Sequence, residues 1–297
     1  MPAYPTANHE LYDYSAIIDR PDFNWPGGKR LAFYVAVNLE TFSFGNDTGP
    51  TLNGGNHAPD VMNYSWREYG NRVGVWRFLE LFNDLEIPAA ALVNMDMYDA
   101  APRVLEAFRK RGDEFVAHGR TNAEKPGQLS EAKERELLEQ VRNRMKKEEG
   151  KAPAGYLAPH ISNSKSTPKL LKDLNYEYQL DWAMDDQPVW LNTEKGKLLS
   201  VPYPAEVNDI PQLIGRNKTG EQFGAMIGDA FETLKRDSRQ HSRVMGVSLH
   251  PYLMGQPHRF TQLRKALTKL RERAGDKVWF TTPGEINAHY RALDSVK

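Results

Sequence analysis

The chain has 297 residues, 40% of them hydrophobic, enough to bury one barrel-sized core or two smaller ones. Acidic and basic residues balance at 39 each, which leaves no broad basic field for nucleic acid or an anionic membrane. The absence of cysteine excludes disulfides, thiolate metal ligands and a thiol nucleophile, and fits a reducing compartment.

The first residues, MPAYPTANHELYDYSAIIDR, carry Pro, His and acids where a signal peptide needs a basic start and an apolar run, so the expected location is cytoplasmic. No stretch approaches the roughly 18 apolar residues that would cross a membrane. Residues 1–29 read as an N-terminal arm ending in the turn-rich Asn24-Trp25-Pro26-Gly27-Gly28 and packing on its own barrel or a neighbour. Residues 30–297 then read as a single domain.

Strand-like and helical stretches alternate from there. Leu31 to Val37 is a strand, and Tyr69 to Leu85 carries Val75, Leu79 and Phe82 at helical spacing. Ala89 to Val93 is the next strand, Ala101 to Arg111 a helix, and Glu114 to Ala117 a strand running into His118. Ser130 is placed to cap a charged helix that ends near Gly150, ahead of a strand over Gly155 to Ala158. Further on, Lys165 to Leu174 reads as helix, Tyr178 to Trp182 and Leu198 to Val201 as strands, and 203–218 as a long loop. A helix through Phe223 and Leu234, a buried strand Val244 to Leu249, a helix Leu263 to Leu270 and a strand Val278 to Phe280 complete the series.

This alternation argues for an α/β fold with about seven parallel strands, closed or nearly closed rather than split into two open domains. In either architecture the residues just past the C-terminal strand ends converge on the usual site of function. Three titratable groups occupy such positions: Glu40, His118 and His250. A carboxylate and two imidazoles facing one another suit acid–base work, although a strand-end histidine taken alone is as often a hydrogen-bonded structural residue. His57 and His258 lie in polar stretches and read as surface histidines.

Asn38-Leu39-Glu40-Thr41, His118-Gly119-Arg120-Thr121-Asn122, Gly155-Tyr156-Leu157-Ala158-Pro159-His160 and Leu249-His250-Pro251 follow the motif order of the polysaccharide deacetylase (NodB-homology) family, which this chain resembles over about residues 30–290. Trp25-Pro26-Gly27-Gly28, the block Tyr69-Gly70-Asn71-Arg72-Val73-Gly74-Val75-Trp76-Arg77, and Val201-Pro202-Tyr203 with Asn208-Asp209 are similar to its allantoinase-like and cyclic imide hydrolase branch.

The resemblance implies a deformed (β/α) barrel, a carboxylate base and a metal-binding carboxylate from the first motif, and two His ligands from the second. Glu40 matches the base, but Thr41 stands where the metal carboxylate is expected and Asn122 where the second His is expected. These are poor zinc ligands, so catalysis without a cofactor is expected, with zinc held by Glu40, His118 and His250 as the alternative.

On that reading Glu40, with a pKa raised by desolvation, takes a proton from water while His118 positions it, and His250 protonates the departing nitrogen. Asn122, His160 and backbone N–H groups are the candidate donors to the oxyanion. Trp182, Asn208 and Asp209 are expected to contact substrate, whereas Asp185 and Asp186 read as solvated turn residues. Phe42, Phe44 and the Gly/Asn-rich run through Asn56 form either a lid or a subunit contact.

The expected function is hydrolysis of a C–N bond in a small cyclic imide, ureide or lactam-like substrate. An amino-sugar N-deacetylase and a non-catalytic ligand-binding barrel are the alternatives. The expected partners are a small-molecule substrate and further copies of the chain in a homo-oligomer, a tetramer by the branch resemblance, with no nucleic acid and no membrane.

Overall fold

The structure is a computed structural model and describes residues 9–45, 49, 51–52 and 58–293. Its sheet is built from β1 (Leu31–Leu39), β2 (Ala89–Val93), β3 (Glu114–Ala117), β4 (Gly155–Tyr156), β5 (Tyr178–Gln179), β6 (Val189–Thr193), β7 (Gly196–Ser200), β8 (Arg243–Leu249) and β9 (Val278–Phe280). The order is β6-β7-β5-β4-β3-β2-β1-β8. All pairings are parallel except the β6–β7 hairpin, a strand that the sequence reading omitted. β8 runs along β1 from Leu31 to Val37, which leaves the other edge of β1 to be shared by β9 at Leu31–Phe33 and β2 at Val35–Leu39.

The sheet curls into a half-barrel, and its open side is narrowed by the chain around β6 and after β7. There Val244 N donates to Asp186 O (2.7 Å), Ser248 N to Val207 O (3.0 Å) and Tyr34 OH to Pro202 O (2.6 Å). This is the α/β deformed barrel with parallel strands that the alternation predicts.

The period of two along a strand sorts side chains between the two faces. On β1, Leu31, Phe33, Val35, Val37 and Leu39 join the core between sheet and helices, while Ala32, Tyr34 and Ala36 join the core inside the curl. On β8, Met245, Val247 and Leu249 face the helices and Val244 faces inward. Continuing each inward series puts Asn38 and Glu40, and Ser248 and His250, inside the mouth of the curl. The same count runs through Val116 to His118 and through Ala90 and Leu92 to Asn94.

Helices α1 (Val61–Tyr69), α2 (Val75–Asp84), α3 (Met97–Ala100), α4 (Pro102–Arg111), α5 (Glu131–Glu149), α6 (Thr167–Asp173), α7 (Gly220–Asp237) and α8 (Pro257–Arg273) cover the outer face, whereas α9 (Pro283–Ala292) packs Ile286 and Tyr290 on the core inside the curl. Gly150 ends α5 in the left-handed conformation, as its sequence suggests. Ser130 occupies the N-cap position of α5, but its side chain makes no capping bond, a correction to the expected cap. A π-helical turn, Gly70–Gly74, joins α1 to α2, and a second, Ile210–Gly215, interrupts what the sequence suggests is a plain loop.

The described part of the arm packs on its own barrel. Trp25 is buried, donates Nε1 to Arg243 O (2.9 Å) and packs with Phe23, Trp279 and His289. Arg20 reaches Asp185 with two bonds of 2.6 and 2.9 Å, so Asp185 anchors the arm and is not a solvated turn residue.

Candidate active site

Glu40, His118 and His250, separated by up to 210 positions in sequence, meet at the strand ends. His118 Nε2 lies 3.4 Å and His250 Nε2 3.5 Å from the same atom, Glu40 Oε1. Asn122 Nδ2 donates to that atom as well, at 2.5 Å. Glu40 Oε2, by contrast, is buried without a hydrogen-bond partner among the described residues. One oxygen is therefore saturated and the other is left as an acceptor.

The charge on Glu40 differs from the sequence expectation. Burial alone would push its carboxyl up, but the positive charge of His250 and hydrogen bonds from His118 and His250 outweigh burial and hold it well below the usual carboxylate range. Glu40 stays ionised at neutral pH, and the expected rise toward neutrality is corrected.

The two histidines are held from behind by different groups. His250 Nδ1 donates to Asp209 Oδ1 (2.6 Å), and His250 N donates to Asp209 Oδ2 (2.8 Å). Burial alone would lower this imidazole, yet Asp209 and Glu40 raise it to about 9, so it is an imidazolium at neutral pH. Asp209, which the sequence reading placed against substrate, is fully buried, grips His250 and is not among the residues that line the cavity. His118 Nδ1 donates to a peptide carbonyl, Leu157 O (2.8 Å), which leaves Nε2 toward Glu40.

The positions that depart from a metal-binding pattern are tied together by Asn94, which sequence reading missed although it is the next inward residue after Ala90 and Leu92. Asn94 Oδ1 accepts from Thr41 N (2.9 Å), and its Nδ2 donates to His118 O and to Asn122 Oδ1 (3.2 Å). The oxygen of Asn122 is thus taken, and its amide nitrogen must face the carboxylate.

These residues do not fit zinc. Asn122 presents a donor instead of a lone pair, Glu40 Oε1 is already saturated, and His250 carries protons on both ring nitrogens at neutral pH. Among the described residues no group of three or more His, Cys, Asp or Glu side chains is arranged to hold a metal ion.

Above Glu40 lies a cavity of about 360 Å³. Asn208 and His160 line it, as expected, together with Phe42, Ile161, Tyr203 and Tyr252, which the sequence reading did not single out for it, apart from Phe42 in its proposed lid. Asn208 Oδ1 accepts from Ile210 N (3.1 Å), and Tyr203 OH bonds Ser248 Oγ (2.6 Å). His160 Nε2 donates to Asn122 O (2.8 Å), which commits that N–H, whereas Asn122 Nδ2 gives one of its two N–H groups to Glu40 Oε1. Trp182 does not line this cavity; its ring packs edge-on against Tyr12 of the arm at 5.8 Å. Asp181 accepts from Ala158 N (2.8 Å) and is pushed up to about 7 by burial.

The Tyr69–Arg77 block works from outside the cavity. Asn71, in the first π turn, donates Nδ2 to Glu40 O (2.8 Å), and Arg77 donates to Gly255 O (2.7 Å). A Cβ on Gly74 would sit 2.1 Å from Pro251 O, and one on Gly70 2.7 Å from Tyr252 N. The two glycines let this turn press directly on the loop that follows His250. Of the residues in the expected lid, 46–48, 50 and 53–56 lie outside the described residues, as does His57. His258 is exposed in the first turn of α8.

Comparison with known proteins agrees with this fold. A family model described as "Polysaccharide deacetylase" matches residues 65–179. A Schizosaccharomyces pombe protein named "Putative polysaccharide deacetylase" is 27% identical over 288 residues, covering 91% of this chain and 88% of that protein. The crystal structure of PuuE allantoinase superposes with a TM-score of 0.83 at 26% identity, covering 96% of this chain and all of that one. That of a "probable Polysaccharide deacetylase" from Pseudomonas aeruginosa PAO1 superposes at 0.82 with 25% identity, covering 95% of this chain and 99% of that one. The family model thus matches the stretch from α1 to β5, and the chain as a whole is similar in sequence and fold to these proteins.

Proposed function

We propose that the protein hydrolyses the C–N amide bond of a small cyclic imide, ureide or lactam-like substrate without a metal ion. The observation that carries this reading is the asymmetry of Glu40: Asn122 and His250 donate to Oε1, with His118 Nε2 at 3.4 Å, whereas Oε2 is buried with no partner among the described residues, on an ionised carboxylate that lines a small cavity. A cavity of about 360 Å³ with Phe42, Tyr252 and Ile161 in its walls suits a compact ring better than a polymer, which needs an open groove. The likeness to an allantoinase structure supports the same substrate class.

In this mechanism a water held at Glu40 Oε2 attacks the substrate carbonyl and loses its proton to the carboxylate. The His250 imidazolium supplies positive charge to the tetrahedral intermediate, then donates Nε2–H to the nitrogen as the C–N bond breaks. After the product leaves, Glu40 releases the proton from Oε2 to water in the cavity and His250 Nε2 regains one from water, restoring both groups. Asn122 and His118 orient Glu40, and Asp209 keeps His250 charged. Because Glu40 is a weak base, the scheme draws most of its driving force from His250.

The family model and the S. pombe relative favour a second reading, N-deacetylation of an amino sugar. A panel of cyclic imides, hydantoin-type ureides and N-acetyl sugars, assayed with and without chelator, separates the two. Ring opening insensitive to chelator is the expected result. Turnover of acetyl sugars alone overturns the substrate class, and chelator-sensitive turnover with stoichiometric metal overturns the metal-free mechanism.

A further inference from the structure

His160 and Ile161 are consecutive, and both have left-handed backbone, with φ of 58° and 53°. For a β-branched residue such as Ile161 this is an outlier, and it persists only where the surroundings over-determine it. Here they do. Ala158 N is held by Asp181 Oδ1 (2.8 Å), Ile161 N by Ala158 O (2.9 Å), Ser162 N by Pro159 O (3.1 Å) and Gly127 N by Ser162 O (2.8 Å). The core does not require this conformation, because the Ile161 side chain is 39% exposed. Both residues line the catalytic cavity.

The tautomer of His160 follows from its partner. Asn122 O can only accept, so His160 Nε2 carries a proton at that 2.8 Å contact, which leaves Nδ1 as the ring nitrogen with no partner among the described residues. Most other polar groups of the cavity are committed. Asn38 Nδ2 donates to Ser248 Oγ (3.1 Å), Asn122 and His250 are bonded as described, Tyr203 OH is bonded to Ser248 Oγ, and Asn208 Oδ1 is taken by Ile210 N. Among the acceptors left over are Glu40 Oε2, for water, and His160 Nδ1, on the strained turn.

We infer that the strained His160–Ile161 turn selects the substrate: His160 Nδ1 accepts a ring N–H that flanks the scissile carbonyl, and Ile161 packs on the apolar part of the ring. This rests on the cyclic-amide reading and narrows it to rings that carry such an N–H, as imides and ureides do. A site that offers an acceptor to an N–H discriminates strongly against an analogue that lacks it, because the acceptor is then left without a partner in the complex.

The test compares kcat/KM for a cyclic imide or hydantoin with that for its N-methyl analogue. The wild-type protein is expected to favour the N–H substrate by about 100-fold. His160→Gln keeps a donor for Asn122 O but loses the acceptor at Nδ1, and is expected to bring the ratio within about threefold by losing only the N–H substrate. His160→Asn tolerates left-handed backbone, places an oxygen near the Nδ1 position and is expected to keep most of the preference. An unchanged ratio in His160→Gln, an equal loss of the ratio in both variants, or no wild-type preference overturns the inference while leaving cyclic-amide hydrolysis standing. A wild-type protein that opens no ring but deacetylates N-acetyl sugars overturns both.

Discussion

His250 and His118 follow β8 and β3, with β1 and β2 between them in the sheet, and lie at nearly the same distance from one oxygen, yet the group behind each ring differs. Behind His250 stands the Asp209 carboxylate at 2.6 Å; behind His118 stands the Leu157 carbonyl at 2.8 Å. A full negative charge holds a proton on the first ring up to about pH 9, whereas a peptide dipole only orients the second. The role of a strand-end histidine is thus set by its hidden partner. The β8 side supplies the acid, and the β3 side orients the base and, through Asn122 O, the ring of His160.

The largest test of this division is Glu40→Gln, which keeps the shape of the cluster but removes the proton acceptor shared by both sides. A loss of about 10²–10⁴ in kcat with little change in KM is expected from steady-state kinetics on whichever ring substrate is turned over. Activity within a few-fold of wild type would mean that water is activated elsewhere.

Asp209→Asn then makes the two sides alike, because it leaves His250 with a neutral partner. The wild-type rate should hold through neutral pH and fall only as His250 loses its proton near 9, with the acid limb lying below the usual carboxylate range. In the variant the alkaline limb should move down toward the ordinary histidine value of 6.5, so that at pH 8 kcat falls by about tenfold or more. Stability follows the same sign. The folded pKa of His250 is raised, so its contribution is full below 6.5 and is lost as pH rises through about 9. Urea unfolding at pH 6 and pH 9 should show this loss in the wild type and a smaller one in Asp209→Asn. An alkaline limb that stays near 9 in the variant would show that Glu40 alone holds the proton.

Much of this arrangement is legible in the sequence, and the residues that escaped it share a cause. β2, β3 and β9 fall where their apolar runs place them, and the strand-end rule finds Glu40, His118 and His250 because alternation along a strand carries its last inward residue into the mouth. Carrying the same count along β2 would have found Asn94. Asp209 was placed against substrate because nothing local tells whether an acid before a π turn points to solvent or back to a histidine 41 positions away. The charge state of Glu40 was misjudged for a related reason: burial is readable from one strand, but the two imidazoles that outweigh it arrive from elsewhere in the chain. The missed β6 pairs only with β7 at the sheet edge and alternates weakly in burial.

Gly74→Ala tests whether the β8 side depends on its bracing. The new methyl would meet Pro251 O at 2.1 Å, so either the π turn or the loop after His250 must move. A loss of about 1–3 kcal/mol in unfolding free energy is expected. His250-dependent proton donation should suffer with it, seen as a lower kcat on substrates with poor leaving groups. Full stability with normal kinetics would show that the two segments slide apart freely and that the Tyr69–Arg77 block does not position the acid.

The smallest effect is expected on the other side, at Ile161→Gly. Glycine adopts a φ of 53° without steric cost, but the side chain removed is only 39% exposed, so some burial is lost with it. Relief of the left-handed conformation, worth about 1–3 kcal/mol, offsets that loss and the roughly 0.5–1 kcal/mol that glycine costs through a more flexible unfolded chain. The variant should therefore stay within about 1 kcal/mol of the wild type by calorimetry, while KM for the ring substrate rises and kcat holds. If instead it loses stability and keeps its KM, the left-handed turn serves folding, and the division of the cavity into an acid side and a selecting side fails at this residue.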